Sequence, residues 1–233
     1  MLKNSNQKFI VLEGLDGAGK STQISLLQEY LKIKDIKYKY LHFPRTDSPY
    51  FGELIARFLR GEFGKNNEVD PYIVALLYAG DRQHAKNMVQ KYLDDNNFVI
   101  IDRYVYSNIG FQCAKIEDAD EKEKLKNWIL SLEYEHFKIP KPDISLFLDV
   151  PLSFTKKKLA ENRTGNDRDY LKGKSDIHEE SINFQLRVRD VYIGLASEDT
   201  NFNIINCSNN NNEILKPKQI FKKIISLLGP SIR

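Results

Sequence analysis

Between Lys8 and Gln23 the chain reads KFIVLEGLDGAGKSTQ. An apolar run ends at Glu13, three glycines fall between positions 14 and 19, and Lys20, Ser21 and Thr22 follow at once. The stretch Gly14-Leu15-Asp16-Gly17-Ala18-Gly19-Lys20-Ser21 satisfies the phosphate-loop pattern G-x-x-x-x-G-K-[ST] at every specified position. Glycines let backbone N–H groups turn inward and approach phosphate oxygens with no side chain in the way. The helix that follows adds the positive end of its dipole. Lys20 would bridge β- and γ-phosphates, and the Ser21 hydroxyl would ligate Mg²⁺. The alternative is a Gly-rich turn with no ligand, and the full match between a strand and a helix argues against it. Residues Gly14 through Thr22 are therefore expected to hold a Mg²⁺-bound nucleoside triphosphate. The motif alone does not give the reaction.

A second chemical feature is Asp102-Arg103, directly after the apolar run FVII. A carboxylate at the C-terminal end of a parallel strand faces the same crevice as a phosphate loop. Asp102 is thus placed to hold Mg²⁺ directly or through water. A helix-capping aspartate beside a surface arginine is the plainer reading of the dipeptide alone. A guanine-reading N-K-x-D after a later strand is missing from FLDVP and IINCSNN, which argues against a GTPase. The length and the lack of extra domains argue against a motor or transporter ATPase. A small-molecule kinase remains.

These residues need a frame, and strands and helices alternate along the chain in the manner of a parallel sheet with crossover helices. KFIVLE, YKYLHFP, FVIID, ISLFLDV and FNIINC read as strands. Helices are expected from about Lys20 to Lys34, over GELIARFLRG, from Asp70-Pro71 through Leu93, over PLSFTKKKLAENR and IHEESINFQLRVRDVY, and after Pro217. The expected fold is α/β: a P-loop NTPase of three α/β/α layers around a five-stranded parallel sheet. Between the fourth and fifth of those helices lies TGNDRDYLKGKSD, charged and without an apparent apolar face, which reads as a mobile lid over about 160–178. Residues 1–233 are expected to form one domain.

Composition narrows the partners. Lys plus Arg number 35 against 32 Asp plus Glu, a formal net charge of +3 and too even to make nucleic acid the default partner. Cys113 and Cys207 stand alone, which suits a reducing cytoplasm rather than a disulfide scaffold. MLKNSNQ has no apolar signal stretch, and no apolar run approaches the roughly 20 residues of a membrane helix. The four histidines, His42, His84, His136 and His178, show neither triad nor metal spacing and are assigned no chemistry.

Phe43-Pro44-Arg45, LLYAGDR (Leu76–Arg82), DRYVYSNIGFQ (Asp102–Gln112) and RVRDVY (Arg187–Tyr192) follow EGLDGAGKSTQ in order. From about Lys8 to Ala196 the chain resembles the thymidylate kinase family. The resemblance implies transfer of the γ-phosphate of ATP to dTMP, giving dTDP for dTTP synthesis, with Mg²⁺, in a cytoplasmic homodimer. It assigns Arg45 and Arg103 to the acceptor phosphate, for which the guanidinium fork is suited. Tyr78 and Arg82 share one helix face; the resemblance gives them the thymine ring and its O4. Ser107, Asn108, Phe111 and Gln112 would line the base and sugar, with Asn108 on the N3–H and O2 edge and Phe111 leaving little room for a 2′-hydroxyl, and Phe43 and Pro44 belong to the same substrate site. Asp16 would contact the 3′-hydroxyl and orient the arginines.

One arginine near a transferring phosphoryl group is worth roughly 10³–10⁵ in rate. Family members carry a basic residue immediately after the acidic residue of the loop or supply arginine from the lid; here that position is Gly17. Arg163 and Arg168 are thus the expected lid cations, with Lys172 and Lys174 as weaker candidates. The rival readings are another nucleoside monophosphate or deoxynucleoside kinase, including one accepting dUMP, and a non-catalytic nucleotide switch. A switch has no use for a second anion site built from Arg45, Arg82 and Arg103.

Overall fold

The computed structural model describes residues 8–160, 166–173, 176–178 and 181–229. Five strands, β1 (Phe9–Gly14), β2 (Tyr38–His42), β3 (Phe98–Asp102), β4 (Ile144–Asp149) and β5 (Phe202–Asn206), form one sheet in the order β2-β3-β1-β4-β5. Every neighbouring pair is parallel. The expected five-stranded parallel sheet is therefore what the chain forms.

Its strands are buried on both faces, so they read as continuous apolar runs, and alternate side chains serve two separate cores. Phe9, Val11, Val99, Ile101, Phe147 and Phe202 face one core. Helices α3 (Pro71–Asp94), α4 (Val105–Cys113), α5 (Ala119–Leu130) and α7 (Ile182–Glu198) complete it. Ile10, Leu12, Ile100, Leu146, Leu148 and Ile205 face the other, closed by α1 (Lys20–Ile33) and α8 (Pro217–Leu228). The remaining α-helices among the described residues are α2 (Phe51–Leu59) and α6 (Leu152–Ala160). A π-helical turn, Ser131–His136, extends α5. Neither α4, α5 nor that turn was expected from helical patterning.

The start of α3 is local chemistry. The Asp70 side chain accepts from Tyr72 N and Ile73 N, and Pro71 occupies the first turn. The register aligns the functional ends: Leu12 pairs with Asp102, His42 with Asp102, and Gly14 with Leu148. Strand order reverses around β1, and the crevice opens there, beyond the C-terminal strand ends.

Two expectations about the lid are corrected. Helix α7 begins after its N-cap Ser181, whose hydroxyl accepts from Phe184 N, and not at Ile177. The charged stretch also carries an apolar anchor. Leu171 and Ile177 are buried, and Ile177 packs with Ile55, Phe58, Leu59 and Val74, with Tyr170 against the same cluster. Ile177 N donates to Leu59 O at 3.1 Å, and Arg60 Nη1 to Tyr170 O at 2.6 Å. Single apolar residues separated by charges carry no periodic signal, so the anchor was invisible to pattern.

The turn between β2 and α2 packs backbone against backbone. A Cβ on Gly52 would stand 2.1 Å from the carbonyl oxygen of Arg45, whereas one on Gly194, exposed within α7, meets nothing within 4 Å. Gly52→Ala is expected to lower stability by about 1–3 kcal/mol in urea unfolding. Gly194→Ala is expected to raise it by about 0.5–1 kcal/mol.

Candidate active site

A cleft of about 1040 Å³ lies over the C-terminal ends of β1, β2 and β3. Residues 16 to 22 line one end, Tyr78, Arg82 and Asn108 the other, and Arg45, Asp102 and Arg103 lie between. Gly14 and Leu15 do not line the cleft. Their carbonyls lie beneath it and accept from Lys20 Nζ at 3.5 and 3.4 Å.

At the loop end, Gly17 and Gly19 have φ of +76° and +83°. These left-handed values favour glycine and leave the first N–H groups of α1 facing the cleft. Lys20 also stands 3.9 Å from Asp102 Oδ1. Burial pushes the Lys20 ammonium down and Arg103 adds to this; Asp102, Asp16 and Glu13 oppose them, and the pKa settles at about 8. Asp102 is held below the usual carboxylate range: burial raises it, but Lys20 and His42 outweigh burial. Asp102 Oδ1 is buried and finds no hydrogen-bond partner among the described residues. With the Ser21 hydroxyl on the same cleft wall, it forms the sparse oxygen donor set that suits Mg²⁺, an ion that usually keeps waters and phosphate oxygens as its other ligands.

In the middle of the cleft, Arg103 Nη2 donates to Asp16 Oδ1 at 2.7 Å and Nη1 to Ser107 Oγ at 3.3 Å. Burial raises the Asp16 carboxyl, yet Arg103 and then Lys20 outweigh it and hold the pKa at about 2. Arg103 has φ of +65°, unfavourable for a residue with a side chain. Two bonds fix this conformation: Arg103 N to Leu12 O at 2.9 Å, and Tyr104 N to Glu13 Oε1 at 2.9 Å. Glu13, fully buried and pushed up by burial, also accepts from Ser107 Oγ at 2.5 Å and Tyr192 OH at 3.0 Å. Ser107 therefore lines the cleft with its hydroxyl already engaged. The Arg103 guanidinium lies 5.0 Å from the Phe111 ring centre.

Arg45 is gripped by Asp81. Its Nε and Nη2 donate to Asp81 Oδ1 at 2.9 and 2.7 Å, and its backbone N–H donates to Oδ2 at 2.8 Å. Phe43 is buried at 1% exposure and lies under the Arg45 guanidinium, so it supports the arginine more than it covers a ligand. Pro44 lines the cleft beside it.

At the far end, Arg82 Nε and Nη2 donate to Glu133 at 2.5 and 2.7 Å. Asn108 Nδ2 donates to Glu133 Oε1 and to Ala75 O, both at 3.0 Å. This leaves Asn108 Oδ1, and likewise Gln112 Oε1, buried without a partner among the described residues. Half-buried Tyr78 stands beside them on the cleft wall. The arrangement offers acceptor atoms, an aromatic ring and a fixed cation to a flat heterocycle.

Arg168 falls in the 3₁₀ helix Asn166–Leu171, and its side chain, like the whole of Arg163 and Lys174, lies outside the described residues. Lys172 is exposed and does not line the cleft; Lys158 of α6 does. Four carboxylate or amide partners escaped the sequence reading: Glu13, Asp81, Glu133 and Gln185. Gln185 Nε2 donates to Asp16 Oδ2 at 3.0 Å. A charged residue closing an all-apolar strand marks Glu13, and Asp81 adjoins Arg82 on a buried helix face. Nothing in SLEYEH distinguishes Glu133 from its exposed neighbour Glu135.

A family model described as thymidylate kinase matches residues 12–217. The chain is 33% identical over 210 residues to a probable thymidylate kinase 1 of Saccharolobus solfataricus, covering 90% of this chain and 94% of that one. It is 32% identical over 197 residues to a thymidylate kinase of Plasmodium falciparum, covering 84% and 81%. The solved structure of thymidylate kinase from Candida albicans superimposes with a TM-score of 0.71 at 26% identity, over 96% of this chain and 91% of that one.

The buried Lys20 ammonium sets a pH limit on the loop. It is protonated below about pH 8 and loses its charge as pH rises through that value. Near pH 7, where Lys20 is still mostly charged, ATP affinity measured by calorimetry is expected to be at its plateau with respect to this group. It should weaken by up to about tenfold per unit above pH 8, with proton uptake on binding there.

Proposed function

The chain belongs to the thymidylate kinase family, and from that premise we propose how its cleft divides the work of moving a phosphoryl group from ATP to dTMP. The reaction gives dTDP and ADP and serves dTTP synthesis. The observation that carries the assignment is the 2.7 Å ion pair between Asp16 of the phosphate loop and Arg103 at the end of β3. It locks donor and acceptor halves into one rigid unit, the geometry that converts a bimolecular transfer into a positioned one.

On this reading residues 14–22 hold ATP, with Lys20 on the β- and γ-phosphates. Asp102 and Ser21 would hold Mg²⁺, which when bound neutralises charge on the phosphates. Arg45 and Arg103 bind the dTMP phosphate, each aimed by a carboxylate. Phe111 packs on the sugar, and Asp16 accepts from its hydroxyl. Tyr78 stacks on thymine, Arg82 donates to O4, and Asn108 Oδ1 accepts from N3–H. No general base is needed, because a phosphate monoester oxygen is already a nucleophile. Arg163 or Arg168 completes the charge on closure of the lid, 160–178, since Gly17 brings no cation. A closed lid excludes water and so suppresses ATP hydrolysis.

The same reading takes residues 1–233 as one kinase domain, working as a cytoplasmic homodimer without nucleic acid. Exposed Ile73 and Leu76, three apart on α3, support a self-contact, and the free, buried Cys113 and Cys207 suit a reducing compartment. Among the described residues no helix is long and apolar enough to cross a membrane.

An ADP-release assay across dTMP, dUMP, CMP, AMP and GMP is expected to show preference for dTMP; equal use of all five would overturn the acceptor assignment. Discrimination against dUMP rests on one methyl group and is expected to stay within about 10–200-fold. Arg103→Ala should lower kcat/KM for dTMP by about 10²-fold or more while ATP affinity changes less than about threefold. At saturating substrates, Arg163→Ala or Arg168→Ala should cut turnover at least about tenfold. If neither does, the lid cation lies elsewhere.

A further inference from the structure

His178 enters none of the roles above, yet it lines the same cleft and is only 7% exposed. Its ring lies 4.8 Å from Phe111, 5.5 Å from Phe58 and 5.9 Å from Phe184, so aromatic walls surround it. Its backbone is fixed at both groups. The N–H donates to Asp176 Oδ1 at 2.8 Å, and the carbonyl accepts from Gln185 Nε2 at 2.9 Å. That same Gln185 nitrogen donates to Asp16. Nε2 of the ring is buried and has no hydrogen-bond partner among the described residues. An unpaired polar atom in such surroundings is costly, and a ligand that pairs with it removes the cost.

We propose that His178 Nε2 hydrogen-bonds the 3′-hydroxyl of the acceptor nucleotide and makes that hydroxyl a specificity determinant. The inference rests on the acceptor assignment above and extends it to a residue that assignment leaves out. Phe111 carries the Arg103 guanidinium near its ring at 5.0 Å and His178 at 4.8 Å. Arg103 and His178 thus both flank Phe111, the residue that the reading above gives to the sugar. Burial, reinforced by Lys115, pushes the imidazole down to about 3, so it is neutral at working pH and a poor phosphate ligand. The sugar of a 2′-deoxynucleoside 5′-monophosphate has one free hydroxyl, at 3′. Asp16 can only accept, so that hydroxyl donates to Asp16 and its lone pair accepts from Nε2–H. The pairing selects the Nε2–H tautomer.

The test compares kcat/KM for dTMP and 3′-deoxythymidine monophosphate in wild type, His178→Phe, His178→Gln and Arg103→Ala. Wild type should prefer dTMP by about tenfold or more. His178→Phe should cut that preference by about five- to tenfold, through loss on dTMP, and His178→Gln, which keeps an N–H, should recover part of it. An unchanged ratio, or a parallel fall on both substrates, would mean that His178 only packs. If Arg103→Ala is impaired while the ratio stays fixed, this proposal alone fails; if Arg103→Ala also leaves dTMP use intact, the acceptor assignment fails with it. Should His178→Phe not fold, the wild-type imidazole Nε2 signal decides by nitrogen NMR. It should shift with dTMP and not with the 3′-deoxy analogue, and equal shifts overturn the proposal.

Discussion

A carboxylate with no exposed surface, Glu13, holds the two halves of the cleft together. It sits at the end of the strand that delivers the phosphate loop, and it accepts from the backbone N–H of Tyr104, the Ser107 hydroxyl and the Tyr192 hydroxyl. Those groups come from the β3–α4 junction and from α7. A buried carboxyl is tolerated only when its lone pairs are met, so the network specifies one arrangement of three elements. One consequence is the strained backbone of Arg103, φ +65°, held open by bonds on either side of it. The turn aims the guanidinium back across β1 to Asp16. Remove Glu13 and both the turn and the ion pair lose their support.

The same logic recurs along the acceptor half. Among the described residues three arginines line it, and each is already paired: Arg103 with Asp16, Arg45 with Asp81 and Arg82 with Glu133. Pairing looks wasteful for cations meant to bind phosphate or a carbonyl. An unpaired guanidinium among aromatic rings would instead be expensive to bury and free to swing. A carboxylate on one edge fixes the fork, so less order is lost on binding. The arginines supply the interaction, and the carboxylates supply the geometry.

This division explains what could be read in the sequence. The strands stood out because a sheet covered on both faces is made of short apolar runs, and KFIVLE and FVIID end at the functional loop and carboxylate. The phosphate loop stood out because backbone geometry dictates its glycines. Arg45, Tyr78, Arg82 and Arg103 were singled out through the family resemblance, which their places after strands or on one helix face suit, and they do meet around one cleft. Of their partners, Asp16 was named as orienting the arginines and does pair with Arg103, and the others were not found. Asp81, Glu133 and Gln185 act through long-range contacts with sequence separations of 36, 51 and 169 residues, and local pattern carries no trace of such pairs. Helices α4 and α5 were missed for a related reason: α4 is buried nearly all round and α5 is densely charged, so neither shows a clean apolar stripe.

The proposed lid is tied to the acceptor side through α2 and to the phosphate loop through Gln185, which donates to the His178 carbonyl and to Asp16. Ile177 and Tyr170 pack against α2, and backbone bonds tie Leu59 to Ile177 and the Arg60 side chain to Tyr170. The other end of α2 is pinned by Gly52, whose backbone touches the Arg45 carbonyl. Helix α2 therefore runs from the acceptor arginine to the lid anchor as one short rigid rod. The stretch is thus held from both halves of the cleft, which suits a transfer in which water must be excluded once both nucleotides are present, because an enzyme that closed on ATP alone would favour its hydrolysis.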